Sequence, residues 1–235
     1  DLFSATCGPG LIGGLLIGST FTKSLSIGCQ KPFVPINHLE AHVLSTFYNN
    51  KITFPHLSLL ITGGHTQIYI LENLNTIKLI GETIDDALGE AFDKVAKILG
   101  LPYPGGKEIE KQALKGNEDS FHLPQPLVKE KNINFSFSGL KTSINLIAKK
   151  NTIDDNFIKN ISASFQKCVA NILITKINRA INYIDNYNNN LSVSIVGGVA
   201  NNNYLKNNFK NYENKKDIKF LYPLRYMMND NAAMI

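Results

Sequence analysis

Apolar residues along the chain form short runs rich in β-branched residues and longer stretches with a helical spacing, which predicts a mixture of strands and helices. Three short segments rich in β-branched and apolar residues are predicted to form a β meander: 57–62, 66–72 and 76–84. In residues 85–99, apolar positions recur at i, i+3 and i+4, which is typical of an amphipathic helix. Asp85 and Asp86 are expected at the N-terminus of this helix, where the helix dipole favours negative charge, and Gly100 is expected to end it.

The rest of the chain alternates helical patterns with short extended segments. Residues 8–28 are predicted to form a Gly-rich loop that enters an apolar helix, and further helices are predicted after the capping residue Asn37 and over 140–150, 157–185 and 203–212. Extended segments are predicted at 33–36, 191–196 and 220–222, and the closing residues NDNAAMI are expected to enter a helix. This is an α/β pattern with glycines at strand ends, where such folds bind ligands. We therefore expect a phosphate- or nucleotide-type cleft between two lobes.

Composition and charge narrow the class of protein only slightly. Of the 235 residues, 43% are hydrophobic and 18% are charged, which favours a folded core over intrinsic disorder. The formal net charge of +5 allows an anionic partner such as nucleic acid without requiring one. The abundance of Lys and Asn is more typical of an AT-rich genome than of a binding surface. No apolar run reaches the ~18–20 residues that span a membrane, so we expect no membrane segment.

The cysteines bear on the compartment. Cys7, Cys29 and Cys168 are far apart and form no CxxC pair, so a disulfide-stapled secreted domain is not expected. A reducing cytosol or an organelle matrix fits better. Because the sequence has no initiator Met, we expect it to begin within a longer protein, and a targeting peptide stays open.

The segment HLEAH is the first candidate for chemistry. On a helix, His38 and His42 lie at i and i+4 on one face, where two imidazoles can chelate one metal ion. The alternative is a pair of ordinary surface histidines. A zincin protease needs its general base at the second position of the motif, which is Leu39 here, whereas Glu40 occupies the third. A pair of histidines that binds one metal ion therefore stays an open interpretation, and zincin chemistry is not expected.

The segment TGGHTQ is the second candidate. Gly63 and Gly64 lie between two predicted strands, where backbone N–H groups can face a ligand, and the hydroxyls of Thr62 and Thr66 add donors. The alternative is an ordinary hairpin turn, in which His65 is a simple turn residue.

Several polar residues are weaker candidates, each with a structural alternative. Asp93 lies on the polar face of the predicted helix 85–99, which is otherwise a solvated salt-bridge face. Gly106 precedes a short helix that bears Glu110, and its amide can receive a ligand. Asn202 follows the Gly197-Gly198 turn and can contact an adenine or ribose edge, or simply belong to a strand–helix turn. Asp230 is either a helix N-cap or a carboxylate ligand for a metal.

The order of these motifs is more specific than any one of them. NHLEAH, LLITGGHTQ, GETIDDALGEAFDKVAKILGLPYPGG, FSFSGLKTS, IVGGVANN and NDNAAMI, in this order, resemble the TsaD family of tRNA threonylcarbamoyladenosine transferases. The resemblance runs over essentially the whole chain. It implies the two-lobed α/β fold of the actin, sugar-kinase and Hsp70 ATPases. The family pattern begins upstream of this sequence and continues beyond it, so the N-terminal lobe is expected to be incomplete.

The same resemblance implies an arrangement of lobes and sites. Residues 1–56 and 224–235 would form the partial N-terminal lobe with the metal ligands, and 57–223 the second lobe with the substrate-binding loops. One divalent ion, Fe²⁺ or Zn²⁺, would be held by His38, His42 and Asp230. Substrate contacts are implied for Leu60, Ile61, Thr62, Gly63, Gly64, Asp93, Gly106, Glu110 and Asn202. An acidic residue at the position of Glu110 contacts the ligand in many members of the family, but not in all.

The implied activity is metal-dependent transfer of a threonylcarbamoyl group from threonylcarbamoyl-AMP to the exocyclic amine of the adenosine 3′ of the anticodon. The tRNAs concerned read codons that begin with A. Implied partners are tRNA, a scaffold paralogue and a small ATPase, in the cytoplasm or an organelle matrix, without a membrane. The exposed lysines Lys141, Lys149 and Lys150 are candidates for RNA contact or form a solvated helix face. Alternatives are a metallopeptidase, a non-catalytic scaffold paralogue, and an ATPase or sugar kinase.

Overall fold

The computed structural model describes residues 1–184, 191–214 and 218–235. Its strands are β1 (Phe3–Gly8), β2 (Phe33–Asn37), β3 (His56–Ile61), β4 (Thr66–Asn73), β5 (Thr76–Glu82), β6 (Leu191–Val196) and β7 (Ile218–Leu221). Its α-helices are α1 (Ile12–Gly28), α2 (His38–Leu44), α3 (Leu88–Ile98), α4 (Gly105–Ala113), α5 (Ser138–Ala148), α6 (Asp155–Tyr183) and α7 (Asn203–Glu213). Single 3₁₀ turns lie at Ser45–Tyr48, Gly198–Asn201, Arg225–Met227 and Ala232–Met234.

The larger of two sheets has the strand order β5-β4-β3-β6-β7. The predicted meander β3-β4-β5 is antiparallel, whereas β6 pairs parallel with both β3 and β7. Every residue of β3 and of β6 is buried, including the polar residues His56, Ser58, Ser192 and Ser194, because these strands are covered on both faces. Because β3 and β6 are parallel neighbours, the turns that follow them, at Thr62 and Gly197, lie at the same edge of the sheet.

The main core lies between this sheet and the helices α3, α5, α6 and α7. Phe92 of α3 meets Phe165 of α6 edge to face, with ring centroids 5.0 Å apart. Phe209 of α7 packs against Phe220 of β7 at 5.1 Å. These contacts fix the helices that follow the strand ends, and so position the loops at the sheet edge.

The smaller sheet pairs β1 with β2 in parallel, and the chain passes from β2 directly into α2. Strand β1 was not among the predicted elements, because its six residues FSATCG are short and half-buried. Helix α1 lies beside this sheet and exposes apolar side chains such as Ile12, Ile17 and Phe21. No described helix combines the length and apolarity that a membrane crossing requires. The small sheet lies within the predicted first lobe, while the lobe boundaries themselves stay a prediction.

Asp85 is not at the N-terminus of the helix that follows it, which corrects the sequence-based expectation. That helix, α3, begins at Leu88, and Asp85 reaches across to the start of α5. Its Oδ1 accepts hydrogen bonds from the amides of Phe137 (2.8 Å) and Ser138 (3.3 Å), and its Oδ2 accepts from the hydroxyls of Ser136 and Ser138. The pKa of Asp85 is lowered because these hydrogen bonds outweigh its desolvation by burial.

Other boundaries differ by a few residues. The last predicted strand is β7, which begins at Ile218, and the closing segment forms only the 3₁₀ turn Ala232–Met234. The helix predicted over 157–185 begins earlier, where Asp154 accepts a hydrogen bond from Phe157 N. Its predicted last residue, 185, lies outside the described residues.

Candidate metal centre and glycine turn

Helix α2 places the two histidines of HLEAH side by side. Asn37 caps this helix as predicted, since its Oδ1 accepts hydrogen bonds from Leu39 N (2.9 Å) and Glu40 N (3.2 Å). The rings of His38 and His42 meet edge to face with centroids 4.8 Å apart. The i, i+4 spacing therefore brings both Nε2 atoms to one side of the helix.

Asp230 joins this pair from the far end of the chain. Its Oδ1 lies 3.3 Å from His38 Nε2 and 3.1 Å from His42 Nε2, across a sequence separation of 188 residues between His42 and Asp230. The ligand atoms of the three residues all lie within 4.8 Å of one another. The three residues that the resemblance implied as metal ligands are thus brought together in space.

The surroundings of the cluster favour neutral imidazoles, and one side of the cluster is open to solvent. His42 is 1% exposed, whereas the Asp230 side chain is 80% exposed, so one side of the cluster opens to solvent. Burial, followed by the nearby His38, lowers the pKa of His42, and so favours the neutral form that binds metal ions. The buried His42 Nδ1 has no hydrogen-bond partner among the described residues.

The donor set fits a divalent metal ion. At Zn–N and Zn–O distances of about 2.0–2.1 Å, tetrahedral ligand atoms are separated by roughly 3.3–3.4 Å. The two Nε2–Oδ1 distances, 3.1 and 3.3 Å, are close to that separation. Two imidazoles and one carboxylate suit Zn²⁺ or Fe²⁺ and leave positions for further ligands.

The TGGHT segment forms a tight turn between β3 and β4. Thr62 N donates to His65 O (2.8 Å), and His65 N donates to Thr62 Oγ1 (2.9 Å). Gly63 and Gly64 are exposed, and a Cβ at either position would meet nothing within 4 Å. The space above their backbone is therefore open to a ligand. Leu60 and Ile61, also implied as substrate contacts, are fully buried in β3 and support this turn from below.

The threonine hydroxyls of this turn serve the protein's own structure. Thr66 Oγ1 accepts from Leu88 N (2.8 Å), and Thr62 O accepts from Gly89 N (3.2 Å). The turn thereby caps α3, which packs so closely that a Cβ on Gly89 would lie 2.7 Å from Gly63 Cα. The glycine backbone, rather than the hydroxyls, is what the turn offers to a ligand.

Asp93 is not simply part of a solvated helix face. It is half-buried, and its Oδ1 accepts a hydrogen bond from Gly105 N (2.7 Å) at the start of α4. Helix α4 lies so close that a Cβ on Gly105 would come within 2.4 Å of Ala96 Cβ. Gly106 follows in the first turn of α4, with open space where its Cβ would be. The helix dipole there favours a negatively charged ligand.

Glu110 and Asn202 both contact the start of α7. Glu110 Oε1 accepts from Asn203 N (2.7 Å) and from Asn203 Nδ2 (3.0 Å). Asn202 is 7% exposed: its Oδ1 caps α7 by accepting from Leu205 N (3.0 Å), and its Nδ2 donates to Gln166 Oε1 (2.7 Å). The side chain of Asn202 thus has structural partners at both ends.

His65 is the residue near the cluster that the sequence left as a simple turn residue. It is half-buried, and burial followed by the charge of His38 lowers its pKa, while Glu82 raises it. Beside it, Tyr69 Oη donates to Gln67 Oε1 (2.7 Å), and Gln67 Nε2 donates to Glu82 Oε2 (3.2 Å). The alternation of polar residues in HTQIY at the start of a buried strand is the signal that could have indicated this network.

The fold and the site together define a class of protein. The structure of full-length HypF in its phosphate- and nucleotide-bound form is similar over 93% of this chain and 43% of that chain, with a TM-score of 0.65 and 14% identity. At that identity the likeness shows the fold alone. This chain shares the α/β fold of HypF and carries a two-histidine, one-carboxylate cluster beside a glycine turn.

The sequence comparisons identify the family. The model of TsaD, tRNA N6-adenosine threonylcarbamoyltransferase, matches residues 1–235, and the chain belongs to this family of transferases. The enzyme of that name from Rickettsia rickettsii (strain Sheila Smith) is 45% identical over 236 residues, which cover 99% of this chain and 69% of the relative. The one from Wolbachia pipientis wMel is 42% identical, covering 100% of this chain and 70% of the relative.

Proposed function

We propose that this protein transfers the threonylcarbamoyl group of threonylcarbamoyl-AMP to the exocyclic amine of the adenosine 3′ of the anticodon, in tRNAs that read codons beginning with A. The observation that carries this proposal is the meeting of His38, His42 and Asp230 in one cluster with an open side. Family membership supports the same reaction, because the relatives are named for it.

In this proposal the cluster holds one divalent ion, Fe²⁺ or Zn²⁺. His38 and His42 present neutral Nε2 atoms, and Asp230 presents a carboxylate oxygen from the solvent side. When bound, such an ion supplies Lewis-acid polarisation and orientation of substrate oxygens. The protein's part is to hold the three donors in place through the Asn37 cap of α2 and the polar turn around Asp230.

In this proposal the glycine turn stabilises the negative charge that develops during the transfer. The amine nitrogen forms a bond to the carbamoyl carbon, the bond from that carbon to the phosphate oxygen breaks, AMP leaves with the bonding electron pair, and the amine proton passes to the departing phosphate or to water. Negative charge grows on the carbonyl and phosphate oxygens, which the backbone amides of Gly63 and Gly64 can approach because no side chain obstructs them. This chemistry needs no nucleophilic Ser or Cys.

The nucleotide part of the substrate is assigned to the start of α4 and α7. The open space at Gly106 can admit a phosphate or ribose against the positive end of α4. Glu110 and Asp93 stand beside these helix starts and orient them. Asn202 acts here by capping α7. A direct contact with substrate would require its Nδ2 to give up the hydrogen bond to Gln166 Oε1.

We further propose that tRNA and threonylcarbamoyl-AMP are the substrates, and that a scaffold paralogue and a small ATPase are partners of a bacterial-type system. The protein would act in the cytoplasm. Family membership supports the tRNA substrate.

The decisive experiment compares His38→Ala with Glu40→Gln in a reconstituted reaction. The protein and its partners receive tRNA and an enzyme that makes threonylcarbamoyl-AMP, and modified adenosine is measured by mass spectrometry. His38→Ala removes one of three metal donors and should slow modification roughly a hundredfold to a thousandfold, as loss of one electrostatic stabiliser does. Metal content, measured by plasma mass spectrometry, should fall with it.

Glu40→Gln is the matched control on the same helix. Glu40 is exposed and lies outside the cluster, so its loss should leave modification near normal. In a metallopeptidase, by contrast, the acid of the motif would move a proton, and its loss would abolish activity. Peptide cleavage that depends on Glu40, or modification that survives His38→Ala unchanged, would overturn the proposal.

A further inference from the structure

A basic pocket lies beyond strand β5, away from the metal cluster. It has a volume of about 660 Å³, within the range of about 300–1,000 Å³ that is usual for ligand pockets. Its lining includes Lys131, Asn132, Asn134, Arg179, Asn182 and Tyr183. Both charged residues that line it are cationic, and the others are amides, a phenol and apolar groups.

Arg179 lines the pocket, and the buried Lys176 lies behind that lining, hydrogen-bonded to Asn132, which also lines it. Lys176 is 0% exposed, and its Nζ donates to Leu127 O (2.8 Å), Asn132 O (2.9 Å) and Asn132 Oδ1 (3.1 Å). One turn further along α6, Arg179 donates to the carbonyls of Leu127, Asn132 and Val128. Among the described residues, neither cation has a carboxylate within ion-pair distance.

The two cations of α6 repel one another. Burial, followed by the charge of Arg179, lowers the pKa of Lys176 to about 8. The nearby carboxylate of Glu130 is engaged by Asn132 Nδ2 at 2.7 Å. An anion bound at Arg179 would offset this repulsion, because Arg179 lines the pocket.

The rim supplies free donors and a flat ring. Lys131 is exposed and has no ion pair or hydrogen bond among the described side chains. Asn134 Oδ1 accepts from Glu82 N (3.2 Å), which leaves its amide N–H groups available. Tyr183, at the end of α6, is 64% exposed. Cations, amides and an exposed aromatic ring in one place are what single-stranded nucleic acid binds, through phosphates and stacked bases.

We propose that this pocket binds the phosphodiester backbone of an RNA strand, with Lys131 and Arg179 on a phosphate group and Tyr183 stacked on a neighbouring base. Only the naming of that RNA as tRNA rests on the proposed function. Strand β5 runs in the same direction as β3 and lies two strands, or about 10 Å, from it, and Ile80 near the end of β5 lines the pocket. One RNA molecule can therefore reach both places.

Binding of labelled RNA to the whole protein tests this assignment. The probes are an unmodified tRNA transcript and a twelve-nucleotide single-stranded RNA, followed by fluorescence anisotropy at several salt concentrations. Tyr183→Ala should weaken binding at least about fivefold, as loss of one base stack does. Lys131→Gln should weaken binding and reduce the slope of log K against log salt by about 0.7–0.9, the value for one phosphate contact.

Lys210→Gln is the matched control, because it removes the same charge from an exposed position on α7. Helix α7 packs beside β7, which is the outer strand on the other side of the sheet from β5. Its affinity and salt slope should equal those of the unchanged protein. Equal losses in Lys210→Gln, unchanged binding in both pocket variants, or no RNA binding at all would overturn the assignment. So would competition by AMP or by polyglutamate as effective as that by RNA.

The modification reaction, run in parallel, separates this inference from the proposed function. Modified adenosine formed by the unchanged protein, with RNA binding unaffected in Tyr183→Ala and Lys131→Gln, would overturn the pocket assignment alone. Weakened RNA binding in both variants, with no modified adenosine from the unchanged protein and its partners, would overturn the proposed function alone.

Discussion

At the scale of single residues, buried histidines make the stability of this protein depend on pH. His56 is 0% exposed at the start of β3, and its Nδ1 lies 2.9 Å from Ser192 Oγ. Burial lowers its pKa to about 4, although the hydrogen bond with Ser192 opposes this. The folded protein therefore holds His56 neutral where the unfolded chain, with a pKa near 6.5, would bind a proton.

The free energy of unfolding should consequently fall as the pH falls from about 6.5 towards 4. Below about pH 4 the contribution of His56 is fully lost, and it amounts to about 3 kcal/mol at 1.36 kcal/mol per pKa unit. Urea unfolding at successive pH values measures this dependence. His42 and His65, whose pKa values are also lowered, add to it with the same sign.

The variant His56→Asn measures how much of this pH dependence is due to His56. The variant should be less stable at neutral pH, because the contact with Phe47, whose ring centroid lies 6.1 Å away, is lost. Its stability should vary less between pH 6.5 and 4 than that of the unchanged protein. Equal slopes in the two proteins would show that His56 is not the group that titrates.

At the scale of elements, the helices of the candidate site are capped at their first residues by side chains from other parts of the fold. Asp93 caps α4 from the middle of α3, Glu110 of α4 contacts the start of α7, and the TGGHT turn caps α3. Asp85 does the same for α5. Loss of one cap therefore changes the position of a neighbouring helix as well as its local stability.

Asp93→Ala should destabilise the protein by about 1 kcal/mol, the usual cost of a lost N-cap. The reason is that Gly105 N loses its acceptor at 2.7 Å. Thermal unfolding followed by circular dichroism measures this effect. Asp93→Asn, which keeps an oxygen acceptor, should recover most of the loss. Unaltered stability in Asp93→Ala would mean that Asp93 is free to serve a ligand alone.

Close packing of α3 on the glycine turn sets a second expectation at this scale. Gly89→Ala puts a Cβ 2.7 Å from Gly63 Cα and Thr62 O, so the helix or the turn must shift. Such overpacking costs about 1–3 kcal/mol. Urea unfolding should show this loss together with slower modification of tRNA.

Gly106→Ala is the comparison for Gly89→Ala, since both glycines lie in the first turn of a helix. A Cβ on Gly106 meets nothing within 4 Å, so its stability should be unchanged or raised by about 0.4–1 kcal/mol. Its affinity for threonylcarbamoyl-AMP should fall if the space at Gly106 receives substrate. Equal stability losses in both variants would contradict the packing argument.

At the scale of the whole molecule, the fold brings together side chains that lie far apart in the sequence. His38 and His42 lie early in the sequence and Asp230 near its close, and the sheet order places the turns after β3 and β6 side by side. Gly197, with φ of +95°, lets the chain turn there, where a Cβ would lie 2.6 Å from Ile61 O. The glycines at the strand ends thus make room for the chain itself as well as for a ligand.

The sequence by itself determined the elements and the local chemistry. Strands β3, β4, β5 and β6 follow from short runs of β-branched and apolar residues, helix α2 from its Asn37 cap, and the pairing of His38 with His42 from a spacing of four residues. Such spacings report which face of an element a side chain occupies. The ordered motifs also identified the family, which the comparison over residues 1–235 confirmed.

Only the tertiary structure decided which distant partner each polar group takes. Asp85 precedes one helix and caps another, Asp93 caps α4, and Asp230 meets His42 across 188 residues. In the sequence each carboxylate had an equally reasonable local partner, because hydrogen bonding and charge act over a few ångströms of space whatever the separation along the chain. The physical reason is that the packing of the sheet and helices, rather than local periodicity, determines which groups come within that distance.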